Sequence, residues 1–335
     1  MAIYSTNRLR GEKWEVRLTG LLLILALLLV RFFSASTIHV GLPNRLQDLI
    51  TLSASVILES FPFVVLGIVL SIVVQIWLPQ AVIQSWLPKN GFLRRLCISF
   101  TGVLLPVCEC GNLPVARSLV AQGFTAAESI TFLLAAPILN PVTLVTTHQA
   151  FPGDTRLLIA RALGALIIAN VIGWLFSKEK HETRVLNAAF ITSCKVKDEH
   201  NHAKWWRSIE LFRAEMGNIM PALFIGSVVA GCIQVIVPRE VLLGLGANPV
   251  ISILAMVVLA FIVSICSNVD AFFALAFSTT FSTGAVVAFL VFGPMIDVKM
   301  LALMRTTYTK RTLVQITVLV LLLTIILGLA VNYAF

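Results

Sequence analysis

The sequence predicts an all-α polytopic membrane protein with two inverted repeats, each with three spans plus a re-entrant hairpin, after an N-terminal helix. Two observations support this prediction. First, 58% of the 335 residues are hydrophobic and only 12% are charged, with a mean hydropathy of +0.94. A water-soluble domain cannot bury that much apolar surface, so the bilayer is the expected environment. Second, two cysteine-bearing breaks interrupt the hydrophobic pattern, and matching landmarks surround them.

The two breaks read Pro-Val-Cys-Glu-Cys-Gly at 106–111 and Ser-Ile-Cys-Ser-Asn at 264–268. Proline and polar landmarks follow one another at the same spacing in both halves, within one residue. The matching pairs are Pro62 and Pro221, Pro79 and Pro238, Cys108 and Cys266, Pro137 and Pro294, and Asn140 and Asp297. This agreement indicates two copies of one membrane unit. A broken segment in each of two repeats is how secondary transporters form a substrate site near the membrane midplane.

Apolar stretches long enough to cross a bilayer recur along the chain. They lie near 18–33, 47–77, 124–150, 157–176, 213–237, 283–300 and 312–334. Two further stretches, near 92–107 and 249–266, lead directly into the breaks. Residues 1–33 resemble a signal peptide, because a basic segment precedes an apolar run and a small-residue motif. We interpret them instead as an uncleaved first helix with a cytoplasmic N-terminus.

The 25 Lys and Arg residues distinguish two topologies. If all nine apolar stretches span the membrane, 14 of these cations lie inside and 11 outside. If each break is the tip of a re-entrant hairpin, the count becomes 20 inside and 5 outside. The hairpin arms would lie near 92–107 and 112–122 in the first repeat, and near 249–266 and 268–282 in the second. The positive-inside rule favours this topology, and it makes the second copy inverted because each repeat crosses an odd number of times.

The hairpin topology divides the chain into four parts in a multi-pass protein of the cell (inner) membrane. They are an N-terminal cytoplasmic tail and first transmembrane helix at 1–45, repeat A at 46–176, a cytoplasmic basic linker at 177–212, and repeat B at 213–335. The linker also contains His181, His200, His202 and Cys194. Metal capture by this loop is therefore an alternative to a plain solvated connection.

The first break places Cys108 and Cys110 on either side of Glu109. The flanking proline and glycine interrupt the helix, which exposes backbone groups that could contact a substrate. If Cys266 arrives from the opposite hairpin, three sulfur atoms converge. Soft thiolates suit Cu(I), Zn(II) and trivalent arsenic-like centres, so these cysteines are candidate ligands of a metal or metalloid. The alternative is that the thiols are only small residues at tight turns.

Amide and carboxylate side chains accompany the thiols. The residues predicted to bind substrate are Cys108, Cys110, Cys266, Asn112, Asn140 and Asn268. The residues predicted to couple protons or to form a polar relay are Glu59, Glu109, Asp270 and Asp297. An ionisable group at membrane depth is costly, so each of these carboxylates is a candidate functional residue.

Structural roles remain open for the same residues. Asn112, Asn268 and Asp270 could cap the free N–H groups of the second hairpin arms. Glu109 could pair with Arg117 at the cytoplasmic mouth, and Arg117 itself could bind an anion or extend to the cytoplasmic surface. The pair Asp297 and Lys299 could mark the inner end of a span, and Glu59 could make a structural hydrogen bond.

Several function classes have no support in the sequence. It contains no Walker loop, Gly-x-Ser-x-Gly elbow or His-Glu-x-x-His motif, so we predict neither an enzyme nor a bound cofactor. The net charge of +9 resides in loops, as the positive-inside rule expects, and does not indicate a nucleic-acid partner.

The chain resembles the predicted permease family that includes ArsP and YraQ. The resemblance rests on Pro-Val-Cys-Glu-Cys-Gly-Asn-Leu-Pro-Val-Ala-Arg at 106–117, Ala-Ala-Pro-Ile-Leu-Asn-Pro-Val-Thr at 135–143, Ile-Cys-Ser-Asn-Val-Asp-Ala-Phe at 265–272 and Phe-Gly-Pro-Met-Ile-Asp-Val-Lys at 292–299, and covers roughly 50–330. It implies a permease. The best-understood type exports trivalent organoarsenicals, and others are associated with metal homeostasis or with a companion membrane subunit.

These observations together predict a secondary transporter that exports a thiol-reactive metalloid or soft-metal species. Its expected partners are the lipid bilayer, the small-molecule or metalloid substrate and a companion membrane subunit. Two alternatives stay open. One is a permease for an unrelated solute, in which the cysteines only pack. The other is a membrane subunit of a two-component metal-homeostasis complex, with the linker 177–212 as its docking site.

Overall fold

The computed structural model describes residues 44–334, except 81–84, 86, 105–106, 180–181, 196–203 and 237–248. Within these ranges the chain is helical and forms no β-strand. Five helical segments are long and apolar enough to cross a membrane: Arg45–Trp77, Thr155–Phe176, Lys204–Ile236, Thr283–Met304 and Lys310–Ala334. The predicted all-α polytopic membrane fold is confirmed. The helix expected near 18–33 and the linker residues His181, His200 and His202 lie outside the described residues.

Among the described residues, six helices in each half follow the same order: one long helix, two pairs of shorter helices and a final long helix. In the first half these are α1 (Asn44–Ile72), α2 (Gly91–Leu104), α3 (Glu109–Ala121), α4 (Ala126–Ala135), α5 (Pro141–Ala150) and α6 (Thr155–Phe176). The short helices α7 (Glu182–Val185) and α8 (Ala188–Lys195) follow. In the second half they are α9 (Lys204–Ile236), α10 (Pro249–Val263), α11 (Asp270–Leu275), α12 (Thr283–Met295), α13 (Val298–Met304) and α14 (Lys310–Ala334).

Two details differ from the sequence-based expectation. Helix α9 already begins at Lys204, so the end of the predicted linker is helical. The second arm of the second hairpin, expected over 268–282, is an α-helix only over Asp270–Leu275 and continues as turns. A run of Ser and Thr residues follows the helix, and the Ser278 hydroxyl donates to the Leu275 carbonyl. Such hydroxyls compete for backbone partners and favour turns over continued helix.

A capped break divides each second pair of short helices, and the pair in the second half, Thr283–Met304, is one of the five candidate spans. Asn140 caps α5 through the Val142 N–H, and Pro141 occupies the first helical position. Across this break the chain keeps its direction, because Thr131 in α4 lies against Gly173 and Thr147 in α5 bonds to Arg161. Helices α4 and α5 therefore both run antiparallel to α6. Asp297 caps α13 at the matching place in the second half, as expected for a kinked helix.

The first cysteine break reverses the chain. Helix α2 runs parallel to α4, because Arg94 pairs with Glu128 at 2.7 Å while Gly102, further on, lies against Ala136. The Arg94 guanidinium also lies 5.0 Å from the Phe124 ring, just beyond the end of α3. The start of α2 and the end of α3 are therefore neighbours.

Contacts of α3 give the same result. It runs antiparallel to α4, because the Ala116 carbonyl accepts from Ser129 near the start of α4. The Val107 carbonyl, at the tip, accepts from Asn140 beyond the end of α4. Helices α2 and α3 thus form a hairpin, called here the first hairpin.

The second break also reverses the chain, which gives the second hairpin, α10 and α11. Helix α10 runs parallel to α12, since Ile253 and Gly284 both contact Gly328 and the later residue Ala260 lies by Gly293. After the break the direction reverses. Phe273 stacks on Phe289 of α12 with ring centroids 5.7 Å apart, whereas Ser264 at the tip contacts Lys299 of α13.

The long helices α1 and α9 are antiparallel. Ser53 of α1 contacts Gly231 near the end of α9, and Trp77 meets Trp205 near its start with ring centroids 5.4 Å apart. Because α1 and α9 hold matching places in the two halves, this is the relation that an inverted second copy requires.

The first hairpin enters from the Trp77 end of α1. Its base lies there, because Gln122 donates to the carbonyls of Val74 and Gln75. Its tip reaches the middle of the span, where the Cys110 thiol bonds to Ser60.

The second hairpin enters from the other end. Helix α13 runs antiparallel to α9. Lys299 lies by Gly226, whereas the later residue Thr306 lies near the earlier residue Glu215, because Arg117 binds both. Helices α12 and α13 therefore advance towards the Trp77 end of α1, and so does the parallel helix α10. The two tips meet between the two ends of the spans.

Candidate functional site

The site lies where the two hairpin tips meet. The Sγ atoms of Cys108 and Cys266 and a carboxylate oxygen of Glu109 all lie within 4.8 Å of one another. All three side chains are buried, with exposed fractions of 1%, 3% and 1%. Cys108 caps α3 with an extended backbone, and Glu109 is the first residue of that helix. A carboxylate at a helix N-terminus is favoured by the helix dipole.

Both carboxylate oxygens of Glu109 have partners from the second half. The Lys299 ammonium donates to Oε1 at 3.0 Å. The Ser267 hydroxyl donates to Oε2 at 3.2 Å, and its backbone N–H does so at 3.4 Å. The Cys266 thiol lies 3.9 Å from the same oxygen. The buried carboxylate is therefore satisfied, and the contacts that satisfy it also join the two tips.

Lys299 is the central cation of the site and is 1% exposed. Its ammonium also lies 3.8 Å from Asp297 and 3.5 Å from the Ser264 carbonyl. Ser264 has φ of +50°, in the left-handed region that non-glycine residues rarely adopt. Such strain is concentrated at functional sites, and here it belongs to a residue whose carbonyl faces the buried ammonium.

Cys110 does not join the group formed by Cys108, Glu109 and Cys266. Its thiol interacts with that of Cys108 and donates to the Ser60 hydroxyl at 3.7 Å. Pro114 has no N–H, so it cannot donate to the Cys110 carbonyl, four residues earlier, as a helix otherwise would. That carbonyl is a further acceptor close to the tip.

Glu59 lies beside this group on α1. Its carboxylate interacts with the Cys266 thiol and with the charges of Lys299 and Glu109. Unlike those three residues it is exposed. Within the described part of the chain, Glu59 is thus an acidic side chain beside the tips that the neighbouring helices do not enclose.

The three predicted asparagines occupy different places around the tips. The amides of Asn112 and Asn140 both donate to the Val107 carbonyl, at 3.5 Å and 3.0 Å. Asn268 accepts from the Thr143 hydroxyl at 3.3 Å and so ties the second tip to α5. The side-chain oxygen of Asn112 is buried without a hydrogen-bond partner. These amides fix the tip backbones, and Asn112 keeps one acceptor free.

Two further buried ion pairs join the halves. Arg161 of α6 binds Asp270 of α11 at 2.6 Å, and its other nitrogen donates to Thr147 at 2.7 Å. Arg117 of α3 binds Glu215 of α9 at 2.9 Å. Together with the pair formed by Glu109 and Lys299, these pairs link one half of the chain to the other, whereas the longer contact between Lys299 and Asp297 lies within the second half.

These pairs correct several sequence-based expectations. Arg117 neither extends to the surface nor pairs with Glu109, because it is 3% exposed and bound to Glu215. Lys299 and Arg161, counted above among the loop cations, are buried at 1% and 0% exposure. If these three buried cations are left out of the topology count, the excess of inside cations remains. Two of them, Arg117 and Lys299, were counted as inside, and Arg161 was counted as outside. The sequence signal that could have revealed them is their position inside apolar stretches.

A tyrosine adds another link between the halves. Tyr308 lies in the turn between α13 and α14, and its hydroxyl is 2.9 Å from the hydroxyl of Ser129 in α4. Burial raises the pKa of Tyr308 to about 12, against the smaller opposing effects of Ser129 and Arg117. The phenol therefore stays neutral and acts as a fixed hydrogen-bonding group at physiological pH.

The arrangement is chemically suited to a soft, thiol-reactive species. Two thiols from different hairpins and one carboxylate can surround a single atom, and thiolate sulfur favours soft metals and metalloids. The adjacent ammonium already neutralises the carboxylate. A site with three uncompensated anionic ligands would therefore suit a bare dication better than this site does.

The helical spans and the buried polar tips define a polytopic membrane protein of the transporter type. The family described as predicted permease, ArsP_1, matches residues 45–333, and the chain belongs to this family. The chain is a membrane permease by that membership.

Curated relatives cover most of the chain. A Streptococcus mutans protein described as a candidate subunit of a two-component membrane permease complex is 34% identical over 278 residues, which is 82% of this chain and 91% of the relative. The Bacillus subtilis protein YcgR is 35% identical over 266 residues, 77% of this chain and 87% of the relative. The Escherichia coli protein YraQ is 26% identical over 119 residues, 36% of this chain and 34% of the relative. No solved structure matches the chain.

Proposed function

We propose that this permease is a secondary transporter of the cell (inner) membrane that exports a thiol-reactive metalloid or soft-metal species. A trivalent organoarsenical is the leading example. The observation behind this proposal is the convergence of Cys108, Glu109 and Cys266 from two hairpins that enter from opposite ends of the fold. A substrate held by both tips would be accessible from one side only after one tip withdraws.

The fate of the two thiol protons favours a metalloid over a bare dication. When methylarsenite, CH3As(OH)2, meets two thiols, two As–O bonds break and two S–As bonds form. The thiol protons leave with the hydroxyl groups as two water molecules. No net charge enters the buried site, and the protons leave in neutral water. Zn(II) would displace the same two thiol protons and so would also add no net charge, but both protons would have to leave the buried site beside the Lys299 ammonium as free charges.

Proton coupling would use the carboxylates around the tips. Glu59 is exposed and interacts with Cys266 and Glu109, so it is the candidate entry point for a proton. Asp297 and Asp270 each retain one buried oxygen without a hydrogen-bond partner and are candidates for the relay. In the inverted-repeat scheme, protonation of Glu109 would weaken its bond to Lys299 and release one tip from the other.

The test is uptake of methylarsenite, and separately of Zn(II) and Cu(I), into everted membrane vesicles. We expect accumulation of methylarsenite by the wild type. Cys108→Ser and Cys266→Ser should reduce it by about 100-fold or more, because two-point attachment typically raises affinity by that factor. Cys97→Ser is the matched control, since Cys97 is an exposed residue of α2 away from the tips. Equal transport by all three variants would refute the thiol site.

A second candidate function is that of a membrane subunit in a two-component permease complex. The description of the Streptococcus mutans relative supports it. Purified protein reconstituted alone into liposomes separates the two functions. Methylarsenite transport by the protein alone would rule out an obligatory partner. Transport only after addition of a companion membrane protein would favour the complex. Transport of an unrelated solute that survives both Cys substitutions but not Glu59→Gln would favour a permease in which the cysteines only pack.

A further inference from the structure

A cavity away from the hairpin tips lies where two spans end. It has a volume of about 560 Å³ and is bordered by the end of α6, the segment around α7 and the start of α14. The end of α6 and the start of α14 are the boundaries of two candidate membrane spans. The cavity is therefore placed at the edge of the bilayer, on the side of the linker.

The cavity carries an excess of positive charge. Among the described residues, Lys178, Arg184 and Arg311 line it together with one acid, Glu179. Glu179 lies 3.4 Å from Arg184, and that pair is largely exposed to solvent. Three cations against one carboxylate leave a net positive cavity that is complementary to a phosphate group.

The basic wall is held in a fixed position. The Arg184 carbonyl accepts hydrogen bonds from Thr309 and Thr312 at 2.8 and 3.3 Å. The Thr309 N–H donates to the Val185 carbonyl at 3.0 Å. Through these bonds α7 is attached to the start of α14, so Arg184 and Arg311 face one cavity without further folding.

An apolar surface continues from the cavity along the spans. Leu175, Val314 and Val318 line it and are 36%, 63% and 46% exposed. The Lys178 ammonium lies 3.8 Å from the ring centroid of Trp174, which is itself exposed. A tryptophan and a lysine at the end of a span are typical of the bilayer interface.

We propose that this cavity binds the headgroup phosphate of an anionic phospholipid, with the acyl chains along Val314 and Val318. A free phosphate would use the cations but not the apolar surface. A zwitterionic lipid would bring a compensating positive charge into an already basic cavity. Basic pockets beside membrane spans recognise anionic headgroups in the same way.

Native mass spectrometry of the purified protein in detergent tests this proposal, with phosphatidylglycerol and phosphatidylcholine of identical acyl chains. We expect retention of one phosphatidylglycerol by the wild type. The double variant Arg184→Gln/Arg311→Gln should bind it about 30-fold more weakly, since each interfacial cation contributes about fivefold. Arg207→Gln is the control, because Arg207 is exposed on α9 and does not line the cavity. Thermal unfolding of each variant verifies that it is folded.

Three outcomes would overturn the proposal. They are equal retention of phosphatidylcholine, equal loss in the Arg207→Gln control, and full retention of phosphatidylglycerol by the folded double variant. Addition of millimolar inorganic phosphate separates the two sources of the anion. Displacement of the lipid by free phosphate would identify a simple anion site, whereas continued retention supports a lipid site.

Discussion

The two hairpins hold matching places in the chain but differ in how firmly they are packed. In the first hairpin the second arm α3 has 13 residues, and its first ten, Glu109–Ser118, are all buried. In the second hairpin the arm α11 has six residues, and Phe272 and Leu275 on it are 47% and 43% exposed.

The difference is also present at single positions. Gly111 lies so close to α1 that a Cβ would clash with Phe63, and Gly67 has the same close contact with Gly111. The matching position in the second hairpin is Val269, which carries a side chain that is 47% exposed. The second arm of the first hairpin is thus fixed against α1, whereas the short second arm of the second hairpin packs less closely and is joined to α6 by the ion pair of Asp270 with Arg161. Segments with few buried contacts open first, so we expect the second hairpin to move during transport.

The first prediction concerns the side of the membrane from which each hairpin enters. In a background without native cysteines, Lys89→Cys near the base of the first hairpin and Arg184→Cys in the linker should react with a membrane-impermeant maleimide from the cytoplasm. Thr279→Cys, in the exposed turn after α11, should react only from the outer face. The measurement is labelling in intact cells against everted vesicles, with at least a tenfold preference expected. Reaction of positions 89 and 279 from one face would contradict the inverted arrangement.

The second effect concerns the ion pair that holds the second hairpin. Arg161→Met should lower the free energy of unfolding by about 3–5 kcal/mol, because it leaves the Asp270 carboxylate buried and unpaired. Adding Asp270→Asn should recover much of that loss. Thermal unfolding in detergent gives the comparison, and Arg184→Gln is the control, since its pair with Glu179 is exposed and should contribute about 0–1 kcal/mol. Equal effects of Arg161→Met and Arg184→Gln would show that this pair does not hold the hairpin.

The smallest effect concerns the packing of the first hairpin. Gly67→Ala should destabilise the protein by about 1–3 kcal/mol, because the added Cβ meets the Gly111 backbone, which has no flexible side chain to yield. Gly217→Ala in α9 is the matched control, since no atom lies within 4 Å of a Cβ there. That control should gain up to about 1 kcal/mol, because alanine is the better helix former. A neutral result for Gly67→Ala would indicate that the first hairpin is as loosely packed as the second.

Local features predicted much of the fold. Apolar stretches identified the spans that the structure describes, and proline, glycine and asparagine marked the breaks, because these residues change backbone geometry within a few positions. The kinks at Asn140 and Asp297 follow from the same signals. The short second arm, Asp270–Leu275, was not predicted, because hydroxyl side chains compete with the helix there without changing the hydropathy.

The candidate site was predicted in its residue types but not in its pairings. The sequence drew attention to Cys108, Cys266 and Glu109, and the structure brings these three together. It gave no reason to pair Glu109 with Lys299, which lies 190 residues further along the chain. The sequence likewise gave no reason to pair Arg161 with Asp270, which lies 109 residues further along the chain.

Composition and residue order are enough to identify a membrane protein, to locate the breaks in its helices and to show which breaks carry thiols. These properties depend on side-chain hydrophobicity and on backbone restrictions that act over a few residues. The pairing of the buried charges and the grouping of the thiols depend instead on the packing of the two halves. A buried ionisable side chain within the membrane is costly unless it is paired, and its partner is selected by how the two halves pack rather than by distance along the chain.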